Sequence, residues 1–212
     1  MSNDVQDLSR TQLRWMRKPN WASPPKREFD LNRVIHQDGA TTVEITSLND
    51  LLPYSLRYRY TNVNKAEEKE LLEWFEARRG RTQRFWVPAW KELYTLSYDA
   101  VMYDDHLVID NAGCFDAYQG NERIFILTHD GDLITRHVTS VAVGPANTEL
   151  LYLATVLQRD VLVSQVAWFG RFLLARFDKD GLNMKYETAH VSQVDVNLRE
   201  LIREYSVGEA ES

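Results

Sequence analysis

Cysteine is nearly missing from this 212-residue chain: Cys114 stands alone, so no intrachain disulfide can form and a cysteine-based zinc site lacks its second thiolate. Such cysteine use suits a reducing cytoplasm. Glycine and proline are sparse at 9 and 6 residues, and no low-complexity tract or fixed-period repeat is present. No apolar run approaches the roughly 20 residues that span a bilayer. Met1 to Trp21 is polar and Arg-rich without the apolar centre of a signal peptide, so the expectation is a chain neither exported that way nor membrane-spanning. A general basic surface is also lacking. The formal net charge of -6 argues against a protein that holds nucleic acid through phosphate contacts.

What the chain does have is apolar and aromatic mass: 44% hydrophobic and 11% aromatic residues, enough for one large β-rich domain or two modest ones. Asp-Gly turn signals recur between alternating segments. Arg27–His36 and Thr41–Thr46 flank Asp38-Gly39; Arg123–Thr128 and Leu133–Val143 flank 129–132; Trp168–Phe177 and Leu182–Thr188 flank 178–181. Each reads as a hairpin. Tyr54, Leu56, Tyr58 and Tyr60 alternate with Ser55, Arg57 and Arg59, which sends aromatics to one face of a strand and arginines to the other. Further strands are expected at 93–102, 106–110, 148–156 and 161–166, with 111–121 a loop or one helical turn. Residues 194–201 either close the sheet or begin a short helix.

One helix is expected, over 65–79. Asn64 can cap it and Glu67 can complete a capping box. Leu71, Trp74 and Phe75, with Leu72 beside them, form the packing face, while Glu67, Glu68, Lys69, Glu73 and Glu76 take the wet one. Arg78 and Arg79 suit the last turn and Gly80 the left-handed stop. Next comes Phe85-Trp86-Val87-Pro88-Ala89-Trp90, a strand with large apolar groups on both faces that must be covered on two sides. The fold class is therefore mainly β, a sandwich or barrel with one lateral amphipathic helix. Its expected division is an N-terminal arm over 1–25, a β-rich half over 26–92 that contains the helix, a second half over 93–205, and a mobile acidic tail over 206–212. In the arm, Trp15 and Trp21 pack either on their own domain or on a neighbouring subunit, because exposed tryptophan is costly in water.

Catalytic signals are weak. Asp104, Asp105 and His106, or His129, Asp130 and Asp132, have the ligand types for a cation but sit where polar turns are expected, without the spacing of an EF-hand or a His-Glu-x-x-His helix. Cys114 reads as a small buried thiol rather than a nucleophile. No Gly-x-Ser-x-Gly elbow, Walker loop or dinucleotide fingerprint occurs, and no carboxylate pair stands out. Hence no catalytic residue, cofactor site or metal site is named, and the chain is read as a non-enzyme. The arginines at 78, 79, 81 and 84 beside Phe85 and Trp86 admit a nucleic-acid groove, but structural or intersubunit ion pairing suits an acidic chain better.

The order of the tyrosine strand (54–60), the helix ending Trp74-Phe75-x-Ala77-Arg78-Arg79-Gly80-Arg81, and the strand 85–90 resembles distal tail proteins of long-tailed bacteriophages and gene transfer agents, at the junction of tail tube and hub. The later Leu173-Leu174-Ala175-Arg176-Phe177 with Leu182-x-Met184-x-Tyr186 is similar too, so the likeness runs in outline from Phe29 to Leu201. It implies a structural virion protein at the tail tip, made in the host cytoplasm and assembled with copies of itself as a ring, sixfold rather than threefold unless it lies nearer the hub. Its implied partners are the tail tube protein and the hub or baseplate proteins, with no membrane. DNA would pass through the channel without sequence-specific binding, and an acidic wall would not retain it. On this reading Trp15, Trp21, Arg78, Arg79, Arg81, Trp86 and Trp90 are candidate subunit-interface residues, tryptophan and arginine being enriched where binding energy concentrates. Two other classes compete: a carbohydrate-binding β-sandwich that stacks sugars on surface aromatics, and a tail-associated hydrolase whose carboxylates meet only in space.

Overall fold

A computed structural model describes residues 14–23, 25–29, 33–38, 42–47, 54–114 and 122–201. The protein is mainly β, with 49% strand and 13% helix, as the alternating pattern implies. The strands in chain order are β1 (Lys26–Phe29), β2 (Arg33–Asp38), β3 (Thr42–Ser47), β4 (Tyr54–Asn62), β5 (Phe85–Leu93), β6 (His106–Asp110), β7 (Glu122–Thr128), β8 (Leu133–Val143), β9 (Thr148–Leu153), β10 (Val166–Phe177), β11 (Met184–Tyr186) and β12 (Ser192–Glu200). Helix α1 spans Lys65–Ala77 between β4 and β5. No helix among the described residues is long and apolar enough to cross a membrane.

The chain forms two compact units, and they are not the two consecutive halves expected. Among the described residues, unit 1 takes those from 14 to 85 together with 174–201, and unit 2 takes Trp86–Leu173. The reason lies in strand pairing. β12 pairs antiparallel with β4 along Ser192↔Asn62 to Arg199↔Ser55, so the last strand returns to the tyrosine strand instead of closing a separate C-terminal half. The ambiguity over 194–201 is thereby resolved as strand. β1 flanks β4 on its other side, from Lys26↔Arg57 to Phe29↔Tyr54. The third Asp-Gly hairpin does not form: the end of β10 pairs with β12 (Ala175↔Glu200 to Phe177↔Leu198), and β11 also pairs with β12. Competition for a long, apolar partner strand outweighs a local turn signal, since β12 buries Ser192, Val194, Val196, Leu198 and Glu200 at every second position. The described residues of the expected Arg27–His36 strand belong to β1 and β2, and β2 pairs with β3 in the register Asp38↔Thr42. Its Gly39 turn lies outside the described residues, as do residues 1–13, 115–121 and the tail 206–212.

Unit 1 owes its interior to one chain of rings. Leu56, Tyr58 and Tyr60 are buried, as period 2 demands. Trp15 meets Tyr60 edge-on at 6.0 Å and Trp74 of α1 at 5.2 Å. Trp74 meets Phe85 at 5.5 Å, Phe85 meets Phe177 at 5.0 Å, and Phe177 meets Phe75 at 4.8 Å. The helix begins as its sequence dictates: Glu67 N donates to Asn64 Oδ1 at 2.9 Å. Glu67 reaches back to Val63 N at 3.2 Å and to the Asn64 amide side chain at 3.0 Å, a variant of the expected box. Glu68, assigned to the wet face, is buried, and Leu72 is exposed. β11 and the start of β12 bring polar groups to Glu68, whose carboxylate accepts from Tyr186 OH at 3.0 Å and Ser192 Oγ at 3.3 Å. Burial pushes that carboxyl upward, but hydrogen bonds from Tyr186, Lys65 and Ser192 outweigh it and hold it below its ordinary range.

Unit 2 runs β10-β7-β8-β9-β6 in antiparallel order, with the expected β7–β8 hairpin in the register Leu127↔Leu133. Its core includes Leu107, Ile109, Ile124, Ile126, Leu151 and Phe169. Trp90 is fully buried against Phe125 and Trp168, at 5.9 and 5.7 Å, so β5 is covered on both faces as its sequence requires. The strands expected over 93–102 and 161–166 are instead irregular segments joined by a single bridge, Ala100↔Val161, followed by a 3-10 turn at Val163–Gln165.

Candidate functional site

The seven candidate interface residues divide by burial. Trp15 is 7% exposed within unit 1, and Trp86 and Trp90 are core residues of unit 2. Of the two alternatives for the arm, Trp15 takes the intrachain one. The segment around it is fixed by Arg17, which donates to Glu67 O at 3.1 Å, Thr61 O at 3.0 Å and Glu67 Oε2 at 2.9 Å, and by Asn20 N, which donates to Arg59 O at 2.6 Å. Trp21 points outward at 44% exposure. Arg78 is buried as the C-cap of α1, its guanidinium 4.7 Å from the Trp74 ring, and burial lowers its pKa from the ordinary value. Four of the seven thus work inside the protomer, and Trp21, Arg79 and Arg81 remain at the surface.

The turn after α1 is built against the loop that follows β10. Arg79 takes the left-handed conformation (φ 50°, ψ 48°) before Gly80 does (φ 57°), so the stop is shared and does not belong to Gly80 alone. Gly80 is required for a second reason. A Cβ there would lie 2.6 Å from Asp180 Oδ1 and 3.2 Å from Asp180 Cα. That closeness lets Arg81 donate its backbone N–H and its Nε to the two Asp180 oxygens, at 2.9 and 3.0 Å. The pair holds the Asp180 carboxyl below its ordinary range, led by the Arg81 backbone bond. Arg81 therefore serves this contact within unit 1.

The residues weighed for chemistry are engaged in local architecture. Asp104 Oδ2 accepts from Val101 N at 2.7 Å, and Asp132 Oδ2 accepts from Arg159 at 2.7 Å. Asp105 pairs with His106 Nδ1 at 2.8 Å, and this bond lowers the Asp105 pKa. Among the described residues no group of three or more His, Cys, Asp or Glu side chains converges as a metal site would need. Cys114 is half-buried, and burial pushes its thiol up to about 11, with Glu149 and Glu122 adding to the effect of burial against a hydrogen bond with Tyr94. At neutral pH it is a thiol, not a thiolate nucleophile.

Two surfaces that sequence reasoning did not single out are better candidates. The first is an apolar tip on unit 2, made by the segments 98–103 and 156–163. Large apolar side chains are exposed on both: Tyr98, Val101, Met102 and Tyr103 on one, Val156, Leu162 and Val163 on the other. Beneath them Leu157, Val161 and Ala100 are buried. The tip is held by backbone bonds, Ala100 N to Val161 O at 3.0 Å and Tyr103 N to Leu157 O at 2.8 Å. Carboxylates cap further donors: Asp160 takes Met102 N and Asp99 takes Val163 N, each at 2.7 Å. Tyr103 is 69% exposed and has φ 76°, a conformation that costs a side chain other than glycine about 1–2 kcal/mol. The backbone there is held by Tyr103 N to Leu157 O and by Val101 N to Asp104 Oδ2, while the ring itself stays in solvent. The sequence signal was present in Tyr98-Asp-Ala-Val-Met-Tyr103, whose apolar residues break the alternation a strand would show.

The second surface is the outer face of the β1-β4-β12 sheet in unit 1. Arg57 and Arg59 alternate with the buried tyrosines, as expected, and the register sets Lys26 opposite Arg57 and Asp195 opposite Arg59. Asp195 accepts from Arg57 Nη2 at 2.5 Å and from Arg59 Nε and Nη2 at 2.8 and 3.0 Å. The Arg59 bonds lead in holding its carboxyl at about 2; burial is the next largest effect and opposes them, and Arg57 adds to the lowering. A folded-state value below the ordinary one stabilises the protein above pH 4 and ceases to do so as pH falls through about 2. Because Arg57 is partly exposed, solvent screening reduces the contribution to about 1 kcal/mol. Asp195→Asn is therefore expected to lower urea stability by that amount at pH 7 and to match the wild type near pH 2. Equal stability at pH 7 would remove the ion pair from the account.

No protein-family model matches this sequence, and no curated protein is significantly similar to it.

Proposed function

We propose that this chain is a structural component of the tail tip of a long-tailed bacteriophage or gene transfer agent, a ring-forming protein between the tail tube and the hub that leaves a channel for DNA. It acts through protein interfaces and carries out no reaction. The reading is supported by the resemblance of the strand, helix, Arg-rich turn and aromatic strand to distal tail proteins, and by the way residues 54–90 use that order. The single observation that carries it is the apolar tip of unit 2. Exposed aromatic and aliphatic side chains, on segments whose backbone donors are capped by carboxylates, bury well against another polypeptide, each contributing through area removed from water at about 25 cal/mol per Å².

Val101→Ser, Met102→Ser and Tyr103→Gly together test this. Glycine relieves the positive φ at 103, so the triple variant is expected to unfold within about 1 kcal/mol of the wild type. Its assembled mass in solution, measured by light scattering alone and with the purified tail tube protein, is expected to fall toward the single protomer. An unchanged assembly would exclude the tip as an interface.

A further inference from the structure

The outer face of unit 1 has charge left over. On the described side chains around the cavity between Ser23, Lys26, Arg57, Arg59 and Asp195, about 110 Å³ in volume, three cations face one carboxylate. Asp195 engages one amino group of Arg57 and two nitrogens of Arg59. It can neutralise only one of the two guanidinium charges, and Lys26 lies directly across from Arg57 on β1. The pairs that follow along β1 are Arg27↔Leu56 and Glu28↔Ser55. On a chain with net charge -6, a local excess of two positive charges at an indentation is not the average surface.

We infer that this cavity is an oxyanion site that receives a carboxylate side chain from an acidic segment of a partner protein. The arrangement around Asp195 shows how such a group is held: the two arginines, two residues apart on β4, converge on one carboxylate from adjacent positions. A second carboxylate entering between Lys26 and Arg57 would repeat that geometry on the β1 side, with the Ser23 hydroxyl at the rim. The volume suits one such group, and the standing negative charge of Asp195 opposes a polyanion laid along the face. Carboxylate is thereby favoured over a nucleic-acid backbone, whose affinity needs several phosphate contacts in a row. The inference concerns unit 1 alone and holds independently of the tail-tip reading.

The test is titration of the full chain with an N-acetylated, C-amidated Gly-Ser-Glu-Ser-Gly peptide, which offers one carboxylate, by calorimetry at low salt, with inorganic phosphate and a hexanucleotide of single-stranded DNA as the other two probes. The peptide is expected to bind more tightly than either. The paired substitution Lys26→Gln and Arg57→Gln, both at exposed positions, is expected to weaken it at least about tenfold, the equivalent of one charge-assisted contact. Asp195→Asn releases both arginines and is expected to tighten peptide binding severalfold, an effect that general loss of structure would not produce. Absence of peptide binding, binding indifferent to the paired substitution, or tighter binding of phosphate or the oligonucleotide would each overturn the assignment.

Discussion

Replacing Trp15 with alanine is expected to lower the unfolding free energy by about 3–5 kcal/mol, the usual loss when a buried tryptophan is truncated in a packed interior. Trp15 is 7% exposed and lies between Tyr60 and Trp74 in the chain of rings that continues through Phe85 to Phe177. Its removal opens a cavity next to Trp74, whose indole also lies against the Arg78 guanidinium. Trp21→Ala, six residues further on and 44% exposed, is expected to change stability by no more than about 0.5 kcal/mol. Guanidinium-induced unfolding of the two variants side by side checks this. Equal and small effects would mean that the N-terminal segment is not part of unit 1's interior, and that Trp15 is free to serve a neighbour.

Gly80→Ala is expected to cost about 2–4 kcal/mol, far more than an exposed glycine change would. Two penalties combine. The backbone at φ 57° disfavours any Cβ, and the Cβ itself would meet Asp180 Oδ1 at 2.6 Å and the Asp180 backbone at 3.2 Å. The carboxylate can rotate away, but only by giving up its bonds to Arg81 N and Nε. The control is Gly131→Ala in the β7–β8 turn, where φ is 90° but nothing lies within 4 Å. There only the conformational penalty remains, about 1 kcal/mol. Thermal or urea unfolding separates the two; if Gly80→Ala and Gly131→Ala cost the same, the close approach of Asp180 is not what fixes the glycine.

Much of unit 1, and the strand β5 that leads out of it, could be read from local pattern. The alternation of 54–60 gave the correct inner and outer faces, Asn64 and Glu67 marked the helix start, and apolar residues on both faces of 85–90 required cover on both sides. These succeed because period, capping and β-propensity act within a few residues. What was not legible depends on partners far away in the chain. The hairpin signal at 178–181 pointed β10 toward its neighbour in sequence, yet β12 carries the longer apolar face, and it joins β10 to β4. The same pairing places Asp195 across from Arg59, which no spacing in the sequence reveals. Glu68 was assigned to solvent by helical periodicity; Tyr186 and Ser192 arrive from more than a hundred residues away to bury it.

The candidate interface residues show a related limit. Tryptophan and arginine are characteristic of binding surfaces and equally of interiors, and composition alone cannot tell the two apart. Trp86 stacks on Phe172 at 5.5 Å and carries the Arg123 guanidinium 4.8 Å from its ring centre, contacts that belong wholly to unit 2. Among the described residues Trp21, Arg79 and Arg81 stay at the surface, and the surfaces we propose for association are the less conspicuous tip at 98–103 and 156–163 and the cationic face around Arg57. Both are assembled from segments that only the fold brings side by side.

Electron microscopy of the purified full chain, alone and with the tail tube protein, tests the central claim most directly. Closed rings around an open channel are expected, with the tip of unit 2 buried at a contact between polypeptides. Isolated protomers under both conditions, with the tip facing solvent, would contradict it.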